Sequence, residues 1–396
     1  MTPLRAIRGR WTPQDRADSV WHYLDFEVTP GCTGVRIELS YDRASGVLDL
    51  GLIDPTGWRG WSGGARDQVL IGPASATPGY LNRGVPAGRW QVVLGLHRLV
   101  SAGVDYVVEV TAGAVEIPPP AAAAAPPPRP RRSLPSADGL SWLAGDLHAH
   151  TLHSDGVLSI DELAAVAVGN GLDFLAITDH NTVSHHEFLP AAAARYGLAL
   201  LPGQEVTTAD GHANAFGDIG WIDFRQPAAH WVAEVAQRGG LMSINHPSRG
   251  DCAWRHALPD PPALAEVWHS SWFDRRDGGP LAWWLAAGYP TPVGGSDWHR
   301  PSTDAAPGTP TTWVACADGD VLGGLAAGRT AISAGYGEPL LLRVGDELVA
   351  IDADGANLVC PHGRRTPVQG ERASYAGHDG PHLIELDDRT VLSIVA

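Results

Sequence analysis

The chain has 396 residues, which is enough for two or three domains with their own cores. Its 28 basic residues are all arginine, so mechanisms that need a Schiff-base lysine, a P-loop lysine or a Ser-Lys dyad are excluded. The 44 acidic residues give a formal net charge of -16, which disfavours broad binding to nucleic acid or to an anionic membrane.

The compartment and the metal content are indicated by residue usage. The N-terminus lacks the apolar region of a signal peptide, and no run approaches the ~18 apolar residues of a membrane span, so we expect a cytoplasmic protein. The 17 histidines favour a metal site, because Zn, Fe and Ni accept imidazole ligands. No CxxC pair is present, so we expect reduced, mostly buried thiols at the four cysteines, Cys32, Cys252, Cys316 and Cys360.

Residues 1–117 are predicted to form an all-β domain. Short runs such as WHYLDFEV and VRIELSY alternate apolar and polar residues and are separated by turns rich in Gly, Pro and Asp. This spacing is typical of an antiparallel sandwich. Several large aromatic residues suit either the core and rim of the sandwich or a platform for a sugar or peptide: Trp21, Tyr23, Trp58, Trp61 and Trp90.

Residues 118–138 are predicted to be a linker. They begin with PPPAAAAAPPPRPRR, in which the prolines remove amide donors and fix φ. Such a segment cannot join a sheet, so we expect an extended, semi-rigid spacer.

Residues 139–337 alternate between predicted strands and helices. The run LSIDELAAVAVGNG has helical spacing, with Ser159 as its predicted N-cap and Glu162 three residues later. Apolar strands such as LDFLAI and LALLPG follow, and the alternation fits a parallel barrel with its site at the carboxyl ends of the strands. Residues 338–396 return to short β runs, and we expect a small β extension packed on the barrel.

Ligand-type residues stand where these strands should end. His148 and His150 lie at i and i+2 in GDLHAH, so both imidazoles share one face of a strand and can reach one ion. Four further strand ends carry His, Asp or Glu, and five such ends in one predicted barrel indicate a metal site. The remaining candidates are Asp155, Asp179, His180, Glu205, His212, His246, Asp297 and His299.

Residues 143–335 resemble the PHP (polymerase and histidinol phosphatase) family, and within it the CehA/McbA-type metallohydrolases. The resemblance rests on HxHxxxxD, TDHN, GxE, a following His, NHP and GSDxH in that order. It implies a distorted (β/α)7, TIM-like barrel that holds two or three divalent ions, with Zn, Mn or Fe as the candidates. The implied ligand groups are His148, His150, Glu205 and Asp297 for the first ion, Glu205, His212 and His246 for the second, and Asp155, His180 and His299 for the third.

The activity that the resemblance implies is hydrolysis of a phosphomonoester or a small phosphodiester. A hydroxide bridging two metals would be the nucleophile, Glu205 would bridge the ions, and no serine, cysteine or lysine would be needed. One alternative is hydrolysis of carbamate, ester or amide bonds, as in the CehA/McbA branch. Another is a glycan- or protein-binding module in which the barrel is subordinate. We expect a small-molecule ester as the substrate, and neither a long nucleic acid nor a membrane as a partner.

Four residues are assigned supporting roles near the metal site. Asp179 is expected to orient a ligand or to cap the turn that follows it. Arg249 and Arg300 follow ligand motifs and suit contacts with phosphate, with a surface salt bridge as the alternative for each. His185 is expected to donate a proton to the leaving group or to line the pocket, with an exposed loop histidine as the alternative.

Overall fold

The computed structural model describes residues 1–118, 125–301 and 303–396. The chain divides into two compact units. The first unit comprises Met1–Ala122, Thr151–Gly156 and Asp179–Glu187. The second unit comprises Ala123–His150, Val157–Thr178 and Phe188–Ala396. Among the described residues, no helix combines the length and apolar character needed to cross a membrane.

Two antiparallel sheets make up most of the first unit. Its described residues form β1 (Thr2–Trp11), α1 (Pro13–Asp18), β2 (Trp21–Val28), β3 (Val35–Tyr41), β4 (Gly46–Asp54), β5 (Gly57–Gly63), β6 (Gln68–Ile71), β7 (Gly88–Leu99) and β8 (Val104–Ala112). One sheet has the order β1-β8-β3-β6 and the other has the order β2-β7-β4-β5. Alternate side chains of both sheets meet in one apolar core, which includes Ile37 and Val110 from the first sheet and Leu50 and Val92 from the second.

The aromatic residues of this unit divide between the core and its rim. Trp90 and Trp61 are buried, whereas Trp21 and Trp58 are half-buried and Tyr23 is exposed. Trp21 and Trp58 both contact Trp61, at ring-centroid distances of 5.6 and 5.9 Å. The core interpretation is therefore confirmed for Trp61 and Trp90.

The second unit combines a large sheet with short helices. In chain order its described residues form β9 (Ser141–Asp146), α2 (Ile160–Gly169), β10 (Phe174–Ile177), α3 (Leu189–Tyr196), β11 (Ala199–Thr208), β12 (Gly211–Phe216), α4 (Ala228–Gln237), β13 (Leu241–Ile244), β14 (Leu264–His269), α5 (Gly279–Ala286), β15 (Thr291–Gly295), β16 (Thr311–Cys316), α6 (Val321–Ala326), β17 (Thr330–Ser333), β18 (Leu340–Val344), β19 (Glu347–Ile351), β20 (Asn357–Val359), β21 (Arg365–Pro367), β22 (Arg372–Ala376), β23 (His382–Glu385) and β24 (Val391–Val395). The mixed α/β class is confirmed by these elements.

Six of seven successive strands carry or directly precede the candidate ligands, and β14 is the exception. The large sheet runs β15-β14-β13-β12-β11-β10-β9 and continues through β16, β17, β24, β23, β20 and β21. In the described residues, β9 and β15 are joined by an isolated parallel bridge between Ala149 and Trp298, just beyond the strand ends. The closed (β/α)7 barrel stays a prediction.

The expected parallel arrangement is wrong at β12. This strand is antiparallel to both β11 and β13. Thr208 pairs with Gly211 across a two-residue turn, and so short a connection can join only antiparallel strands. The hairpin places His212 opposite Thr207, diagonally beside Glu205 on the same face.

The predicted cap of helix α2 is confirmed. The Ser159 hydroxyl accepts a hydrogen bond from the Glu162 amide, and the Glu162 carboxylate accepts one from the Ser159 amide at 2.8 Å. The helix buries Leu163 and Ala167, which lie four residues apart on one face.

The linker and the tail both make contacts within the second unit. Part of the predicted linker, residues 119–124, lies outside the described residues. Beyond it, Arg129 donates to the carbonyl of Gly197, and Arg132 pairs with Asp352 at 2.6 Å. The tail strand β24 pairs with β17, so the tail extends the same sheet as the candidate ligand strands.

Candidate metal centre

Backbone pairing aligns the two i, i+2 motifs. The His150 amide donates to the Trp298 carbonyl, and the Asp297 amide donates to the His148 carbonyl, both at 2.9 Å. Buried Asp146 fixes both segments, because its carboxylate accepts hydrogen bonds from the amides of His148 and Ser296. The side chains of both motifs are thereby held at one end of the sheet.

The first predicted ligand group converges on two carboxylates. His148 Nε2 lies 3.2 Å from both Glu205 Oε1 and Asp297 Oδ1. His150 Nε2 lies 3.1 Å from the same Asp297 oxygen and 3.4 Å from Glu205 Oε2. The donor atoms of all four residues lie within 4.8 Å of one another, so they could hold one ion.

The second predicted group shares Glu205 with the first. His212 Nδ1 and His246 Nε2 lie 3.1 and 3.4 Å from Glu205 Oε1. The Asn245 side-chain amide donates to the same oxygen at 2.9 Å. One carboxylate therefore faces four imidazoles that three strands position, which is an arrangement that suits bridging two ions.

Two of these residues have left-handed backbone conformations. Asp297 has φ of 52° and His246 has φ of 28°. Residues other than glycine seldom adopt positive φ, and such residues cluster at functional sites. Here the conformation turns each side chain toward Glu205 directly after its strand ends.

Glu266 on β14 is a site residue that the sequence reasoning missed. Its Oε1 accepts a hydrogen bond from His148 Nδ1 at 3.0 Å, and its Oε2 accepts one from the His246 amide at 2.7 Å. One carboxylate thus orients an imidazole of the first group and the backbone of the second. The sequence signal that could have identified this strand is LAEVWH, an apolar run that ends in a ligand-type residue, His269.

His269 and Arg249 both contact Asp297. His269 Nε2 and Arg249 Nη1 lie 3.2 and 3.1 Å from Asp297 Oδ2. His269 is buried and its Nδ1 lies 2.7 Å from the Ser271 hydroxyl. The predicted phosphate-binding Arg249 therefore lies beside the centre and pairs with one of its carboxylates.

The electrostatics of the cluster favour a bound cation. Burial alone would raise the pKa of Asp297 and of Glu266, but nearby histidines, His148 first among them, hold the pKa of both below the ordinary value. Burial would lower the pKa of His148, but Glu205, Asp297 and Glu266 raise it well above normal. The three clustered carboxylates thus require a neighbouring positive charge, which a protonated histidine supplies here and which a divalent ion can supply instead.

The donor set also fits a metal. His148 Nε2 is buried and makes no hydrogen bond within the described residues, although it faces two carboxylate oxygens. Imidazole nitrogen and carboxylate oxygen are the ligands that Zn, Mn and Fe accept. The described residues thus include His, Asp and Glu groups able to hold metal ions, and the metal identity and number stay open to measurement.

The members of the third predicted group belong to different units. In the first unit, His180 Nε2 lies 3.7 Å from Asp155 Oδ1. In the second unit, His299 stacks on His150 at 4.2 Å and its Nδ1 lies 2.7 Å from the Asp297 carbonyl oxygen. The third ion site stays a prediction.

The other predicted residues have distinct environments. Buried Asp179 accepts hydrogen bonds from the amide and hydroxyl of Thr151 and from the Ser154 hydroxyl, at 2.6 to 2.8 Å. His185 is fully buried with its Nδ1 3.3 Å from Asp179, so the alternative of an exposed loop histidine is wrong. Arg300 is exposed, and its backbone amide donates to Asp304.

Glu266→Gln is expected to weaken metal binding about 10- to 100-fold. The variant keeps the side chain's size but replaces one of two acceptor oxygens with a donor, so His148 and the His246 backbone lose a shared anchor. Titration of the metal-free protein with Zn²⁺ against a chromophoric chelator measures the dissociation constant. Glu234→Gln, a half-buried residue of helix α4 that pairs with Arg238, is the matched control. Equal affinity in Glu266→Gln and wild type would contradict the assigned role.

Comparison with known proteins gives a family match over part of the chain. Residues 146–246 match the family model of the PHP domain. This range contains seven of the nine predicted ligands, from His148 to His246, and does not reach Asp297 or His299.

Similar proteins match over short segments. A 5'-3' exoribonuclease of Haemophilus influenzae is 41% identical over 63 residues, which is 16% of this chain and 23% of that protein. A 3',5'-nucleoside bisphosphate phosphatase of Chromobacterium violaceum is 37% identical over 100 residues, which is 25% of this chain and 32% of that protein. The matches span about a quarter to a third of the length of these curated relatives.

A solved structure matches over a longer range with lower identity. It is a two-domain protein from Bacteroides vulgatus that contains a predicted PHP-like metal-dependent phosphoesterase. The match has a TM-score of 0.44 and 17% identity, and it covers 68% of this chain and 98% of that chain.

Proposed function

We propose that this protein is a metal-dependent hydrolase of phosphate esters, with phosphomonoesters or small phosphodiesters as substrates. The observation that carries the proposal is the convergence of four histidines, positioned by three strands, on two carboxylates, Glu205 and Asp297. The match to the PHP domain and the similarity to a bisphosphate phosphatase support a phosphate ester as the bond cleaved. The proposal includes a PHP barrel of β9 to β15, of the CehA/McbA branch, with the metal centre at its mouth.

Contacts within the second unit support two of the three ligand groups proposed from the sequence. The first ion would be held by His148, His150, Glu205 and Asp297, and the second by Glu205, His212 and His246. The third ion, which the sequence assigns to Asp155, His180 and His299, stays a prediction. Bound divalent ions would activate water for attack and neutralise charge on the phosphoryl oxygens.

The surrounding residues prepare the centre for this chemistry. Glu205 offers two oxygens to neighbouring ligand groups, and Glu266 fixes the ring orientation of His148. Glu205 and Glu266 are both buried, so bulk water is excluded from their carboxylates and their electrostatic interactions within the site are strengthened. Arg249, beside Asp297, can donate two parallel hydrogen bonds to a phosphate.

Small substrates are favoured over long nucleic acids. The formal net charge of -16 repels a polyanion, so we expect slow association with RNA or DNA, although an exoribonuclease is among the similar proteins. A nucleotide or a sugar phosphate carries only a few charges and meets a weaker barrier.

A substrate panel tests the proposal. The full-length protein, reconstituted with Mn²⁺, Zn²⁺ or Fe²⁺, is assayed with p-nitrophenyl phosphate, bis(p-nitrophenyl) phosphate, a p-nitrophenyl carbamate and p-nitrophenyl acetate. We expect a phosphate ester to have the highest kcat/KM. Turnover confined to the carbamate or the acetate would contradict the proposal and favour the carbamate and ester alternative.

Arg249→Ala and Arg300→Ala separate the two reaction classes. Loss of a guanidinium that stabilises phosphoryl oxygens is expected to lower kcat/KM for p-nitrophenyl phosphate about 100-fold and to leave carbamate hydrolysis nearly unchanged. Steady-state kinetics on both substrates measure the difference. Arg195→Ala, which removes an exposed pair with Asp161, is the control. Equal losses on both substrates would show that neither arginine acts through phosphate.

A further inference from the structure

Two loops that carry predicted ligands belong to the first unit together with the sandwich. Thr151–Gly156 contains Asp155 and begins directly after His150. Asp179–Glu187 contains His180 and begins directly after β10 and Thr178. Both loops therefore pack with sandwich residues that are distant in the sequence, and hydrogen bonds from two of these residues hold them.

Arg66, in the turn between β5 and β6, binds the first loop. Its Nη1 donates to the Ser154 carbonyl at 2.7 Å, and its Nη2 donates to the Leu152 carbonyl. The planar guanidinium thus joins two carbonyls on either side of His153 and just before Asp155. Burial lowers the pKa of Arg66, because the charged guanidinium loses water. The negative charges of Asp179 and Asp155, one in each loop, oppose this shift and stabilise the buried cation.

Gly79 binds the second loop through its backbone. Its amide donates to the Ser184 hydroxyl at 3.1 Å, and its carbonyl accepts a hydrogen bond from the Thr182 hydroxyl at 2.8 Å. A Cβ at Gly79 would lie 2.7 Å from the Trp61 carbonyl oxygen and 2.8 Å from that of His153, and its φ is 101°. Only glycine allows the sandwich backbone to approach both loops so closely.

The two loops are also tied to each other. Asp179 accepts hydrogen bonds from Thr151 and Ser154, and His153 Nδ1 lies 2.8 Å from the Ser184 hydroxyl. A shift of either loop would therefore change the 3.7 Å separation of Asp155 and His180.

We propose that Arg66 and Gly79 are positioning residues that hold Asp155 and His180 at the spacing required to bind a divalent cation. The β-sandwich then positions two predicted ligands of one ion and is not only a recruiting module. The inference rests on the proposed function, because it assigns Asp155 and His180 to an ion. It concerns one ion only, since the groups around Glu205 and Asp297 belong to the second unit.

Co²⁺ titration of the metal-free, full-length protein tests the inference. We expect Arg66→Met to raise the dissociation constant of one Co²⁺ at least about tenfold and to leave the other bound ions unchanged. Arg66→Lys keeps the charge without the two-pronged geometry, so partial rescue is expected. Arg36→Met removes a half-exposed arginine of the same sandwich, paired with Glu38, and is expected to bind Co²⁺ as wild type does.

Hydrogen exchange gives a readout that is independent of the metal. Amides of residues 151–156 and 179–187 are expected to exchange faster in Arg66→Met, while the β3 and β7 amides keep their protection. Unchanged Co²⁺ affinity in both folded Arg66 variants would overturn the inference and leave the proposed function standing. A folded wild-type protein that binds no Co²⁺ would refute the proposed function and this inference together.

Discussion

Asp297→Asn is expected to lower kcat/KM by about a thousandfold or more, which corresponds to about 4 kcal/mol of transition-state stabilisation. Asp297 Oδ1 faces His148 and His150, and Oδ2 faces His269 and Arg249. Asparagine keeps the size of the side chain and tolerates the left-handed backbone, with φ of 52°, but removes the negative charge. The loss would therefore report on the charge of the centre and not on the fold.

Asp318→Asn is the matched control for this variant. Asp318 is exposed and has φ of 49°, so the same substitution is made in the same backbone conformation. We expect wild-type kinetics and wild-type thermal unfolding from the control, and a cooperative unfolding transition from Asp297→Asn, which shows that this variant is folded. Activity of Asp297→Asn within tenfold of wild type would contradict the role of Asp297 as a metal ligand.

Glu205→Gln is expected to remove at least one bound ion per chain and to abolish hydrolysis. Its carboxylate contacts His148 and His150 of one group and His212 and His246 of the other. An amide has one acceptor oxygen where the carboxylate has two, so glutamine cannot bridge two cations. Metal content after gel filtration and kcat/KM on p-nitrophenyl phosphate measure the two effects.

The control for Glu205→Gln is Glu347→Gln, an exposed residue on strand β19. It is expected to keep the wild-type metal content. Full metal content in Glu205→Gln, with activity retained, would show that this carboxylate does not bridge the ions.

The strand-end pattern made much of the site predictable. His148 and Asp297 follow apolar strands whose carboxyl ends meet, so residue type and position were sufficient to predict their convergence. The sandwich strands β2 and β3 were predicted from alternation, because one face of each is buried. Strand β1 was missed because it is a sheet-edge strand without any fully buried residue, and its arginines hide the pattern.

Other parts of the site depend on contacts between distant segments. Glu266 acts through His148, which is 118 residues away, and a lone glutamate in an apolar run has no local signature of such a role. Arg66 contacts carbonyls 86 and 88 residues away, and a backbone acceptor leaves no mark in the sequence. The antiparallel turn before His212 was missed because ADG was not interpreted as a hairpin turn between two ligands.

Metal analysis of the purified 396-residue chain is the strictest test of the metal centre. Inductively coupled plasma mass spectrometry, combined with amino-acid analysis, gives the number of first-row ions per chain. We predict two or three ions, removed by chelation and restored by Mn²⁺, Zn²⁺ or Fe²⁺. Folded protein that retains fewer than one ion per chain, and takes up none on reconstitution, would contradict the assignment of a metal centre to these residues.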